Sequence, residues 1–96
     1  MRNYEAVFIF SPEDDQFKAG LEFTREELKK VNAVISKEED MGLKELTYPV
    51  KKETQGHYFC FYAQIDPESV INIEKAAKLQ KNILKYLFVR KDSPAQ

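Results

Sequence analysis

Residues His57–Ile65 read HYFCFYAQI, the longest run of strand-forming aromatics in the chain. Read with period two, Phe59, Phe61, Ala63 and Ile65 share one face, and Tyr58, Cys60, Tyr62 and Gln64 share the other. The first face is wholly apolar and predicts a core side. The second is aromatic with polar handles, which suits a surface covered by something other than the protein's own interior. Tyr4–Phe10 alternates in the same way, with Tyr4, Ala6, Phe8 and Phe10 against Glu5, Val7 and Ile9. Both of its sides are largely apolar, as in an interior strand.

Ser11-Pro12-Glu13-Asp14 carries helix-start chemistry: a capping serine, proline at the first position, acids in the first turn. Phe17, Leu21, Thr24, Leu28 and Val31 follow as an amphipathic stripe, and Asn32 suits the helix end. Gly20 is expected to weaken that helix by roughly 1 kcal/mol relative to alanine. Ala33–Tyr48 predicts a long strand interrupted at Lys37–Gly42, with Gly42 at a bulge, and Pro49 predicts a sheet edge. Lys51–Gly56 reads as a polar hairpin loop, which leaves His57 on a hairpin rim. Asp66-Pro67-Glu68 opens a second helix with an inward stripe of Val70, Ile73, Ala77 and Gln80, ended by Asn82. Ile83–Arg90 is a last strand, Tyr86 and Phe88 alternating against Leu87 and Val89.

Strand, helix, strand, strand, helix, strand is the split βαβ order of the α+β ferredoxin-like sandwich (βαββαβ). Right-handed crossovers then give a four-stranded antiparallel sheet with both helices on one face and the first and third strands central. Residues 1–91 are expected to form this single domain, with 92–96 a short flexible tail. The opposite sheet face, with Val7, Ile9, Tyr58 and Tyr62, calls for cover from outside.

Fifteen basic and sixteen acidic side chains give a net charge of −1, so composition announces no nucleic-acid partner. Distribution says more. Acids gather at Glu13–Asp15 and Glu38–Asp40, and bases at Lys51-Lys52 and from Lys75 to Lys91, so a basic edge remains available for phosphate. Cys60 is the only cysteine and, mid-strand, reads as an inert thiol in a reducing compartment. Met1–Glu5 is polar and Ala6–Phe10 too short for a signal segment, and no run has membrane-spanning length; a cytoplasmic protein is expected.

Catalytic chemistry is weakly represented. His57 is the only histidine, and no nucleophile or carboxylate is nominated beside it. Metal-ligand spacing, a phosphate-cradling glycine loop and a nucleophile elbow are missing. Small enzymes of this fold bind phosphate at the first loop, but here Ser11-Pro12-Glu13-Asp14-Asp15 would repel it. No cofactor and no small-molecule substrate are expected. The RNA-recognition motif shares the fold, yet Gln55-Gly56-His57-Tyr58-Phe59 departs from its basic-Gly-aromatic-small-aromatic signature. That motif would also turn His57, Phe59 and Phe61 outward, the reverse of the alternation here.

Several segments together resemble the bacterial small-ribosomal-subunit protein six family. Arg2-Asn3-Tyr4-Glu5 resembles its Arg-x-Tyr-Glu opening, and Gly42–Val50 (GLKELTYPV) its Gly-x-basic-x-Leu-x-Tyr-Pro-Ile block. Lys51-Lys52 with Gln55-Gly56-His57-Tyr58 resembles its hairpin, and Asn82-Ile83-Leu84-Lys85 its entry to the last strand. The resemblance spans nearly the whole chain and implies a structural, non-catalytic ribosomal protein. It implies binding to the central domain of small-subunit ribosomal RNA as a heterodimer with small-subunit protein eighteen. The alternative is a stand-alone module of the same fold, RNA-recognition-like or small-molecule-binding.

On that reading Arg2, Lys44, Lys51, Lys52, Lys85 and Arg90 are candidate phosphate contacts, sharing one rim through strand ends and hairpin. Tyr4 and Tyr48 are candidate stacking aromatics, although the parity of Tyr4 with Ala6 and Phe8 equally suits core packing. Val7, Tyr58 and Tyr62 are the candidate protein-partner residues. Many family members carry a longer, often acidic tail than the residues after Arg90 here, a departure from the family pattern.

Overall fold

The computed structural model describes residues 1–91; the tail expected at 92–96 lies outside the described residues. The elements are β1 (Arg2–Phe10), α1 (Asp14–Lys30), β2 (Val34–Val50), β3 (Glu53–Ile65), α2 (Pro67–Lys78) and β4 (Ile83–Lys91). They form one four-stranded antiparallel sheet in the order β2-β3-β1-β4, the ferredoxin-like arrangement.

Alternation does the sorting. In β1, Tyr4, Ala6, Phe8 and Phe10 are buried, and their register partners in β3, among them Phe61 opposite Ala6 and Phe59 opposite Phe8, are buried with them. Phe17, Leu21 and Leu28 of α1 and Val70, Ile73 and Ala77 of α2 close over this face. Phe8 stands edge-on to both Phe61 and Phe88, with centroids 5.9 and 5.8 Å away, an arrangement worth about 0.5–1.5 kcal/mol per pair beyond area burial. Thr24 fits this oily stripe because its hydroxyl donates to the Gly20 carbonyl at 2.9 Å.

Gly20 is a packing requirement. A Cβ there would stand 2.7 Å from Phe10 Cδ1 and 3.3 Å from Asn82 Cβ, so the missing side chain lets α1 approach β1. Asn32 ends α1 as expected, in the left-handed region at φ 59°. The Asn32 N–H donates to the Lys29 carbonyl and the Ala33 N–H to the Leu28 carbonyl, both at 3.0 Å, the paired bonds of a Schellman end.

The helix boundaries otherwise differ from expectation. Ser11 does not cap α1. It is buried, its N–H donates to the Asn82 carbonyl at 2.9 Å, and the helix begins only at Asp14 behind Glu13. Asn82 likewise does not end α2, which stops at Lys78 with Leu79 as its C-cap; its carbonyl serves the Ser11 bond instead. The Asn82 bond holds Ser11 as an extension of β1, two residues before the Glu13 cap position, and among the described residues its Oγ accepts only the Glu13 N–H at 3.4 Å.

The hairpin is also shorter than the expected Lys51–Gly56 loop. Val50 pairs with Glu53, so the turn is Lys51-Lys52 alone, at φ 49° and 68°. A two-residue turn with both residues left-handed matches the twist of the flanking strands. Gln55, Gly56 and His57 therefore lie within β3. β2 is an edge strand, as Pro49 required, and its ladder shifts at Ile35/Lys37, Asp40/Gly42 and Glu45/Val50. Gly42, at φ 81°, occupies the middle irregularity.

Candidate protein and RNA interface

The sheet face opposite the helices is laid out by register. Cys60 and Leu87 flank Val7, Tyr58 and Lys85 flank Ile9, and Tyr62 and Val89 flank Glu5. Val7, Ile9, Tyr58, Lys85, Tyr86 and Leu87 line a shallow groove of about 340 Å³. Leu87 is 59% exposed on this face. Tyr58 and Tyr62 both lie here, half-buried, while Phe59 and Phe61 fill the core beneath them. The RNA-recognition arrangement, which would turn Phe59 and Phe61 outward, is therefore absent.

Each tyrosine is held by a charge. Lys44 Nζ sits 5.5 Å over the Tyr58 ring, and Lys37 Nζ 5.3 Å over the Tyr62 ring. The Tyr62 hydroxyl donates to Glu39 Oε1 at 3.0 Å, and that bond is the main cause of a phenol pushed up to about 12. Cys60, between them, is 4% exposed, and burial pushes its thiol up, as for an inert side chain. Val7 and Tyr58 meet in the groove; Tyr62 stands outside it, opposite Glu5 and farther toward the end of the sheet where β1 begins. Leu87 and Val89 join Val7, Ile9, Tyr58 and Tyr62 on this face, a placement that the alternation of Leu87 and Val89 against Tyr86 and Phe88 signals in the sequence.

The expected basic rim is two rims. Lys44, Tyr48, Lys51, Lys52 and Lys85 lie at the end of the sheet where β1 finishes. Arg2 and Arg90 lie where β1 begins, Arg2 opposite Ile65 and Arg90 opposite Tyr4. The six residue steps from the Asn3 row to the Ile9 row span roughly 20 Å. Antiparallel pairing places the start of β1 beside the end of β4, which divides the set. Tyr4 is in the core, 8% exposed and edge-on to Phe88 at 6.3 Å, so its ring offers no face to a base. Tyr48 is the opposite case, 77% exposed. Lys52, Lys44 and Lys85 are exposed. Lys51 Nζ instead donates to the backbone carbonyls of Gln80 at 3.1 Å and Ile83 at 2.8 Å.

His57 is not a rim residue. It is stacked on Phe17 and bonded through Nε2 to Asp40. Among the described residues, no group of three histidine, cysteine or carboxylate side chains is placed to hold a metal ion, and no helix is long and apolar enough to cross a membrane.

Comparison with known proteins bears on this arrangement directly. Residues 3–90 match the family described as Ribosomal protein S6. The small ribosomal subunit protein bS6 of Treponema pallidum is 39% identical over 93 residues, covering 97% of this chain and all of that protein. The bS6 protein of Helicobacter acinonychis is 32% identical over 95 residues, covering 97% of this chain and 67% of its own length. The crystal structure of 30S ribosomal protein S6 from Thermotoga maritima superposes with a TM-score of 0.84 at 24% identity, over 94% of this chain and 87% of that one. With the fold so matched and the family match running from Asn3 to Arg90, the chain belongs to the ribosomal protein S6 family, a structural and non-enzymatic protein of the bacterial small ribosomal subunit in the cytoplasm.

Proposed function

We propose that the chain binds the central domain of small-subunit ribosomal RNA as a heterodimer with small-subunit protein eighteen. The observation that carries this reading is the uncovered sheet face. Val7, Ile9, Tyr58 and Leu87 form a continuous apolar and aromatic patch with no helix over it. Aromatic and aliphatic anchors of this kind make the buried centre of protein interfaces. Lysines at its border, Lys44 and Lys85, give the patch a cationic margin toward the hairpin. Exposed Tyr48 and Lys52 extend that margin, and Arg2 and Arg90 supply charge at the opposite sheet end.

A net charge of −1 limits the phosphate contribution of the chain alone. RNA binding therefore depends on the partner. A filter-binding titration on a central-domain RNA fragment, with and without protein eighteen, tests this. Affinity rises at least about tenfold with the partner present, which is 1.4 kcal/mol; equal affinity in the two arms refutes the heterodimer reading.

A further inference from the structure

We propose that Lys51 is a positioning residue for RNA binding: it clamps the β2–β3 hairpin to the α2–β4 connection and so fixes Tyr48 and Lys52. This rests on the RNA-binding reading above. Two of the three ammonium donors of Lys51 are taken by the carbonyls of Gln80 and Ile83. The Gln80 carbonyl lies just past the C-terminus of α2, where the helix dipole adds negative potential, and the Ile83 carbonyl opens β4.

The hairpin needs such a hold. β1 pairs with β3 only from His57 onward, so beyond Gly56 toward the turn the hairpin is paired with itself alone. Lys51 and Lys52 both have positive φ without being asparagine or glycine, a conformation that persists when surrounding bonds over-determine it. Between Glu45 and Val50 the ladder with β3 is broken, so Tyr48 depends on the frame around it for its position. Lys52 projects from the same turn into solvent.

The test uses the full chain with protein eighteen on a central-domain RNA fragment. Lys51→Asn keeps a residue that tolerates the left-handed turn but cannot reach Gln80 or Ile83; Lys51→Gly repeats the test with the turn strain removed. Amide hydrogen exchange of the hairpin is followed beside RNA affinity for each variant, for Lys52→Met, and for the doubles. With Lys51 as the clamp, hairpin amides exchange about tenfold faster or more in both Lys51 variants. Lys52→Met then adds little to the affinity loss already caused at Lys51. A direct phosphate contact would leave exchange unchanged, give additive losses, and lower the salt slope by roughly 0.7–0.9; that result overturns the proposal. Faster exchange with unaltered affinity in every variant would overturn it differently, by removing the hairpin from the RNA interface and leaving Lys51 a purely structural tie.

Discussion

The imidazole of His57 lies flat on the ring of Phe17, the centroids 3.6 Å apart and the planes 4° from parallel. Its Nε2 donates to Asp40 Oδ1 at 2.6 Å, and the same oxygen accepts the Gly42 N–H at 2.9 Å. One side chain of β3 thus joins α1 to the bulge of the edge strand.

Replacing His57 separates the two contacts. His57→Ala loses stack and hydrogen bond and costs about 1–2 kcal/mol. His57→Phe keeps the stack and costs less. Urea denaturation of both variants gives the comparison, and equal losses would show that the stack contributes nothing.

The Asp40 carboxyl is held below its ordinary value, chiefly by the bond from His57. A group whose folded pKa is depressed stabilises the fold above its unfolded pKa, about 4, and loses that contribution as pH falls through the folded value. Asp40 is 54% exposed, so the contribution stays below about 1 kcal/mol. Asp40→Asn therefore lowers stability at neutral pH and flattens the acid limb. Denaturant midpoints from pH 2 to pH 7 measure it.

Helix propensity alone would make Gly20→Ala stabilising by roughly 1 kcal/mol. The 2.7 Å approach of the new Cβ to Phe10 reverses the sign, since overpacking a core costs about 1–3 kcal/mol. Net destabilisation of roughly 1 kcal/mol is expected from thermal or urea melts. A raised melting temperature would mean that Phe10 moves aside freely.

Tyr62 should ionise near 12, and Glu39→Ala should return it toward 10 because the hydrogen bond to Glu39 is the main cause of the shift. Ultraviolet difference titration reads phenolate directly. Unchanged ionisation in Glu39→Ala would remove that cause.

Leu87→Glu places a charge in the uncovered groove. Leu87 is 59% exposed, so the change in stability stays within about 0.5 kcal/mol. Binding to protein eighteen falls by more than about tenfold if this face is the interface. Calorimetric titration against protein eighteen decides it, and full affinity would move the interface elsewhere on the molecule.

Parity and order were readable in the sequence because they are local. Alternation in Tyr4–Phe10 and His57–Ile65 assigned every core side chain of the two central strands, and Pro49 marked the edge. Positions set by contacts between distant segments were not readable. Ser11 has good capping chemistry, but its backbone is claimed by Asn82; Lys51-Lys52 lacks the asparagine and glycine of a tight turn, yet Lys51 reaches carbonyls 29 and 32 residues away.

What the sequence determined by itself was the two-sided character of the sheet, since the side-chain period of a strand is a property of the backbone. The tertiary structure alone decided which lysines remain available to a ligand. It also split the basic residues between two ends of the sheet. Those outcomes depend on antiparallel register and long-range hydrogen bonds, which no local pattern encodes.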